Sequence, residues 1–440
     1  MATSIALALA TAAITACGGG GGSDTQASVA DTPTGTTVAS TGSTDASSVT
    51  EQPVTTNANA VAVAAGDTTS STDTAAASTD TTTTVADATT TVADATTTAA
   101  DAATGAASTS SAGDTQVEAL AAGPVVASAI VARPAGNTGT GFYVVGSKLY
   151  DANGKEFRIR GVNRVHYDNG APGLPLSGAN TERIVLNFTK TPASNFAVLK
   201  NEMLNQKIVP MPGNWDGTCS ADPAKLSGIV DTWVAQAATW KQLNSNGLIN
   251  IANEWGPDGS TVWRDGYVAA IPRMRAAGYT GTLVVDAGAC GQSAADIVKY
   301  GAAVMAADPQ KNILFSVHVY GAFHYPATAS WMQDYTKAFA QLKASGLPLI
   351  IGEFGPGHNI GPSPTMVTPA KVIADAEANG WGWLPWGWDD NNLTGCLAND
   401  GWFSMTVKCG KYATTSDLTT FGKTVVPILQ ATAVKSGIFN

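Results

Sequence analysis

Between residues 141 and 392 the chain alternates two textures: short apolar runs that end on a polar or charged side chain, and longer stretches whose apolar residues return every three or four positions. The short runs, read as buried strands, are 157–163, 180–188, 207–212, 247–255, 281–288, 313–321, 348–355 and 383–391. The longer ones, read as amphipathic helices, are 226–243, 261–277, 294–307, 329–344 and 369–379, with 417–432 closing the series. Eight strands, mostly separated by helices, predict an α/β fold, the (β/α)8 TIM barrel. Residues 164–179 break the alternation: Asn169-Gly170, Ala171-Pro172-Gly173 and Leu174-Pro175 predict a loop, so the first crossover is reduced. Residues 142–156, turning at Asp151-Ala152-Asn153-Gly154, predict a small N-terminal hairpin across the barrel bottom.

The first part of the chain is a different material. Residues 1–132 contain no Lys or Arg, and all 24 basic residues follow. Residues 1–124 carry 12 of the 34 Asp and Glu, so the net charge of −10 belongs to this segment and the rest is close to neutral. A near-neutral folded part carries no basic stripe for nucleic acid, and no later apolar run is long enough to span a bilayer. Residues 1–16 are small and apolar, and Ile14-Thr15-Ala16-Cys17 before five glycines resembles a bacterial lipoprotein signal, without the usual basic start. That resemblance implies export and lipidation of Cys17, a membrane link through a lipid anchor alone; an ordinary secretory peptide is the alternative. Residues 17–137 are rich in Thr, Ala, Ser and Asp, with one seven-residue sequence at 85–91 repeated at 92–98. Such a composition cannot bury enough apolar surface to offset its ordering entropy, so a disordered tether is expected. A flexible coil of this length spans on the order of 60 Å. The catalytic-size remainder is then 138–440.

Export suits the cysteines. With Cys17 set aside, Cys219, Cys290, Cys396 and Cys409 allow three pairings, of which Cys396 with Cys409 is preferred. No CxxC spacing or clustered His suggests a metal, and no cofactor is expected.

In a barrel of this kind functional groups sit at the C-terminal strand ends, and here those ends are polar. They offer Arg183, Asn253 and Glu254, His318 and Tyr320, Glu353, and the pair Trp386 and Trp388. Two apolar runs end on a glutamate followed within two residues by glycine, at Glu254 and Glu353, which sets two carboxyl groups on one rim as glycosidic cleavage requires. Arg183 also suits an ion pair with Glu182, and His318 also suits a hydrogen-bonded core position. The four tryptophans 381, 383, 386 and 388 alternate faces, so some are core, and Trp386 is the better candidate for the cleft.

The runs Gly141-Phe142-Tyr143-Val144, Arg160-Gly161-Val162-Asn163, Asn253-Glu254, His318-Val319-Tyr320, Gly352-Glu353-Phe354-Gly355 and 383–388 resemble a family 5 glycoside hydrolase over residues 141–392, and are most similar to its bacterial endo-β-1,4-mannanases, with cellulases next. The resemblance implies a monomeric retaining hydrolase of β-linked polysaccharide, mannan before glucan, with Glu254 as general acid/base and Glu353 as nucleophile. It implies that Arg183 and Tyr320 keep Glu353 ionised, that Asn253 bonds the sugar 2-hydroxyl, that His318 orients a carboxylate or a sugar hydroxyl, and that Trp386, with Trp388 behind it, stacks on the sugar. Many members carry a His at the end of strand 3, where this chain has Ile208-Val209-Pro210-Met211-Pro212-Gly213-Asn214-Trp215. Asn214, Trp215 or Asp216 would replace it, and Pro210 and Pro212 each remove a ladder donor. A barrel that binds glycan without turnover is the alternative from another class.

Overall fold

Each of the eight apolar runs contributes a strand, and the strands pair in chain order. The computed structural model describes residues 129–165, 173–186, 193–325, 327, 329–330, 332–356, 367–388, 403–407 and 410–439. The signal segment, Cys17, the 85–98 repeats, Cys396 and Cys409 lie outside them. A hairpin of β1 (Tyr143–Val145) and β2 (Lys148–Tyr150) precedes the barrel strands β3 (Gly161–Val165), β4 (Thr181–Leu186), β5 (Val209–Asn214), β6 (Ile249–Asn250), β7 (Leu283–Asp286) and β8 (Ile313–Val319). A short parallel pair, β9 (Phe323–His324) and β10 (Gln333–Asp334), stands apart before β11 (Leu349–Phe354) and β12 (Gly382–Trp383). The eight barrel strands form one parallel sheet from β3 to β12. A parallel bridge between Arg160 and Trp383 joins its edges, with the Asn163 amide donating to the Pro385 carbonyl at 3.0 Å.

The helices are α1 (Ala193–Asn205), α2 (Pro223–Ala235), α3 (Ala237–Trp240), α4 (Thr261–Ala276), α5 (Ala294–Ala307), α6 (Tyr335–Ala344), α7 (Pro369–Asn379) and α8 (Thr420–Thr432). Asp222, Ser260, Ser293, Asp334, Thr368 and Thr419 each accept a backbone N–H at the start of a helix, which fixes where α2 and α4 to α8 begin. The first crossover contains a 3-10 turn, Leu174–Ser177, among its described residues, in keeping with the expected loop. Helix α1 departs from expectation: no helix is legible between the second and third strands, yet one forms there and buries Phe196 and Met203. Its stripe is diluted by Lys200, Asn201 and Glu202. The predicted 226–243 helix is broken after Ala235, where Gln236 leaves helical geometry, and the 329–344 helix begins only at Tyr335.

The hairpin turns at Gly146 rather than at Asp151–Gly154, which forms a second turn leading to Glu156 opposite Tyr150. Phe142, Val144, Leu149, Phe157 and Ile159 close the barrel bottom against Val209, Met211, Leu248, Val284, Leu314 and Ile350. The fold also starts earlier than residue 138. The Val131 amide donates to the Gly154 carbonyl at 2.8 Å, and the Arg133 guanidinium lies 4.2 Å from the Tyr143 ring centre, so cation–π attraction fastens this segment to the hairpin.

The two prolines of β5 explain the shape of the rim. Residues 209 and 215 donate to the β4 side, at the carbonyls of Asn180 and Leu186, whereas the Pro210 carbonyl accepts from Leu248 on the β6 side. Alternation then turns both prolines toward β6, and the β4 ladder keeps all six of its pairs. The β6 side loses two donors, and β6 shrinks from the predicted 247–255 to Ile249–Asn250, with one residue pair to β5. Beyond Asn250 the regular ladder ends, although the Ile251 amide still donates to Val284 at 3.0 Å and the Asn253 amide to Asn214 at 2.7 Å, and Glu254 follows directly.

A disulfide joins Cys219, after β5, to Cys290, after β7, across 71 residues. Of the three pairings open to four cysteines, this bond belongs to the one that sets Cys396 with Cys409. Closing a loop of this length in the unfolded chain stabilises the fold by about 4 kcal/mol on the chain-entropy account. Replacing both Cys219 and Cys290 by Ser is expected to lower the unfolding free energy by roughly 2–4 kcal/mol in urea titrations, with the barrel's far-ultraviolet circular dichroism retained. An unchanged midpoint would contradict a structural role for the bond.

Candidate active site

Two local backbone features aim the two glutamates. Glu254 has φ +54°, a left-handed conformation that costs a non-glycine residue on the order of 1 kcal/mol or more. Its amide donates to Asp286 Oδ2 at 3.2 Å and its carbonyl accepts from Cys219 at 3.1 Å, so the conformation is held from both sides. Glu353 follows a register shift between Ile351 and Glu353 where β11 pairs with β8. Gly352 occupies the shift because a Cβ there would sit 2.0 Å from Ser316 Oγ, and no larger residue allows β11 this close to β8.

The consequence is convergence. Glu254, His318 and Glu353 each present one polar atom within 4.8 Å of the others, and all three residues are buried. His318 Nδ1 is 2.8 Å from Glu254 Oε1 and 3.6 Å from Glu353 Oε2. Glu353 receives Arg183 Nη1 at 2.7 Å on one oxygen and the Tyr320 hydroxyl at 3.0 Å on the other. Two donors, one on each oxygen, fix the orientation of this carboxyl. Arg183 is fully buried and does not pair with Glu182, which lies 3.5 Å from Arg164. Its remaining bonds run to Asn163 Oδ1 at 3.0 Å, Asn250 Oδ1 at 2.9 Å, Asn253 Oδ1 at 2.6 Å and Asp286 Oδ2 at 3.0 Å. Asn253 spends one amide hydrogen on Thr218 Oγ1 at 2.9 Å, which leaves the other for a ligand hydroxyl.

Electrostatics separates the two glutamates. Burial and the Glu353 charge together push the Glu254 carboxyl up to about 7, against the pull of His318. Burial disfavours charge on His318, but the carboxylates of Glu353 and Asp286 outweigh it and raise the imidazole to about 10. Asp286 is likewise buried, and Arg183 and His318 hold it down to about 2. A carboxyl that keeps its proton near neutral pH, as Glu254 does, is the kind of group that can serve as a general acid. The half-cystine Sγ of Cys219, 3.8 Å from Glu254 Oε2, carries no proton and packs against the carboxyl without bonding it.

The remaining expectations divide. Trp386 is half-buried at the rim, with its peptide to Gly387 in cis. Trp388 is a correction: it is fully buried, its indole donates to the Gly410 carbonyl at 3.1 Å, and its ring lies edge-on to Tyr412, so it presents no face to a sugar. At the end of β5, Asn214 is buried with its Nδ2 lacking a partner among the described residues, while its Oδ1 accepts from the Asp216 amide at 2.8 Å. Sequence reasoning passed over Asp286, Asn250 and Thr218 and gave Asn163 no role. Asp286 carried the same signal as the glutamates, an apolar run, Leu283-Val284-Val285, ending on an acid.

Residues 199–392 match the Cellulase (glycosyl hydrolase family 5) family. The chain is 35% identical over 263 residues to a mannan endo-1,4-beta-mannosidase of Salipaludibacillus agaradhaerens, spanning 57% of this chain and 82% of that protein. It is 32% identical over 270 residues to a mannan endo-1,4-beta-mannosidase of Streptomyces lividans, spanning 57% and 67%. The solved beta-mannanase from Thermomonospora fusca superposes with a TM-score of 0.59 at 29% identity, covering 68% of this chain and 100% of that one.

The raised Glu254 carboxyl has a kinetic consequence. A proton donor with a pKa of about 7 works below that pH, so kcat/KM is expected to fall up to tenfold per unit as pH rises above about 7. A basic limb near the ordinary value of 4.5 would contradict the assignment.

Proposed function

The chain belongs to glycosyl hydrolase family 5, and from that premise we propose that it cleaves β-1,4-linked mannan internally by double displacement, with Glu353 as nucleophile and Glu254 as general acid and base. The observation that carries the reading is the approach of the two carboxyl groups, whose facing oxygens lie within 4.8 Å. Retaining enzymes hold their carboxyls about 5–5.5 Å apart, whereas inverting ones leave about 6.5–9.5 Å for a water.

In the first step a Glu353 oxygen forms a bond to the anomeric carbon, the glycosidic bond breaks, and the proton of Glu254 moves to the leaving oxygen. Arg183 and Tyr320 steer the free lone pair of Glu353, and the spare Asn253 amide hydrogen meets the sugar 2-hydroxyl. In the second step Glu254 takes a proton from water, whose oxygen attacks the same carbon and releases Glu353 as carboxylate. Trp386 supplies an aromatic face for a sugar ring. The names of the curated relatives support mannan as substrate, and the Cys219–Cys290 bond supports an exported protein, since such bonds persist in oxidising compartments. Cleavage of the chain before Cys17, with lipidation there, is the anchoring we infer from the lipoprotein-like start.

Assays of the purified chain on soluble mannan and on carboxymethyl cellulose check substrate and mechanism together. Mannan is expected to be cleaved faster, with the newly formed end appearing first as the β-anomer in proton NMR, and Glu353→Ala is expected to lose roughly 10⁴-fold or more in kcat. Faster cleavage of the cellulose derivative would move the substrate to β-1,4-glucan, and an α-anomer as first product would reject double displacement.

A further inference from the structure

Five ionisable side chains crowd the barrel mouth, and their charges must balance among themselves because water reaches them poorly. Arg183, Asp286 and His318 are wholly buried, and Glu254 and Glu353 nearly so. Of the five, Asp286 contacts neither glutamate's carboxyl, yet it touches Arg183 and His318, the neighbours of both glutamates. Its Oδ2 accepts from Arg183 Nη2 at 3.0 Å and from the Glu254 amide at 3.2 Å, and it faces His318 Nε2 at 3.6 Å. Its Oδ1 accepts from Asn250 at 3.0 Å. Gly291 leaves the His318 ring its room, since a Cβ there would lie 2.5 Å from Nδ1. One ring nitrogen therefore faces Asp286, and the other faces both Glu254 and Glu353.

We propose that Asp286 is a positioning residue that keeps the His318 ring cationic, so that one fixed imidazolium neutralises Glu353 before the first step and Glu254 after it. The proposal rests on the two-step reading above. Before reaction Arg183 and His318 carry two positive charges, Asp286 and Glu353 two negative ones, and Glu254 holds its proton. Attack by Glu353 makes a neutral ester while Glu254 hands its proton to the leaving oxygen and becomes the carboxylate. The balance is unchanged, and the negative charge has moved from one neighbour of His318 Nδ1 to the other. In the second step water passes its proton to Glu254 and the charge returns to Glu353. A neutral ring offers Nδ1 either a lone pair, which repels a carboxylate, or one N–H dipole, which offsets less of a buried charge than a cation does. The groups that bear on the ring charge are Glu254 after β6, Asp286 on β7, Glu353 on β11 and, as an opposing cation, Arg183 on β4.

Nitrogen NMR of the full chain labelled in histidine reads this directly. The chain has four histidines, and the His318 signals are assigned as those missing from His318→Gln. In wild type the His318 nitrogens are expected to stay at imidazolium shifts from about pH 5 to about pH 8, and in Asp286→Asn to titrate within that window. Asp286→Asn is also expected to lose on the order of 100-fold in kcat with KM changed by less than about threefold, as for an interaction made in the transition state. A wild-type His318 that titrates near the ordinary value of 6.5, or a ring whose charge is indifferent to Asp286→Asn, would overturn the proposal. The wild-type titration decides even where the variant fails to fold. It needs no substrate, so a fixed imidazolium in a chain that cleaves no β-glycan would reject the proposed activity and leave this charge assignment standing.

Discussion

Taking a guanidinium out of water costs several kcal/mol unless its charge and its donors are met, and Arg183 at the centre of the barrel mouth is the group that imposes this cost. Its four partners besides Glu353 are Asn163 inside β3, Asn250 and Asp286 at the ends of β6 and β7, and Asn253 just beyond β6. Together these contacts tie β3, β6 with the residues just after it, and β7 to the same point, and Glu353 on β11 completes the set at 2.7 Å. Glu353 is thus part of the framework that makes the burial of Arg183 affordable. Removing either member would strand the other, which typically costs about 3–5 kcal/mol.

Around this fixed centre the second glutamate is placed by strain and by subtraction. Pro210 and Pro212 withhold donors from β6, which ends as a regular strand at Asn250, and four residues on Glu254 adopts its left-handed backbone. Asp286, Cys219 and the Cys219–Cys290 bond then hold that segment. A glutamate continuing a regular strand would have pointed along the sheet's alternation. Here it turns to meet His318 and faces Glu353 across a gap narrow enough for a covalent intermediate.

How much of this was legible in the sequence follows from which interactions are local. The barrel was legible because eight apolar runs with polar ends are a one-dimensional signal; Glu353, His318 and Tyr320 stand at strand ends as read, while Arg183 lies inside β4 and Glu254 four residues beyond the shortened β6. Trp388 was misplaced because alternation alone does not say which tryptophan of a strand end is covered, and its cover comes from Gly410 and Tyr412 beyond the strand. Helix α1 was missed because charged and amide residues interrupt its apolar stripe. The prolines of β5 looked like defects, and only the register reveals that both face the same neighbour. Asp286 was passed over because its importance lies in partners 103 and 32 positions away in the chain, Arg183 and the Glu254 amide.

The central claim is that Glu353 forms a bond to the sugar while Glu254 manages the proton, and trapping that bond tests it most directly. Incubation of the chain with an activated 2-deoxy-2-fluoro β-mannoside, followed by proteolysis and mass spectrometry, is predicted to place one sugar as an ester on Glu353. A sugar on Glu254, or substrate turnover with the chain's mass unaltered at every stage, would contradict the account.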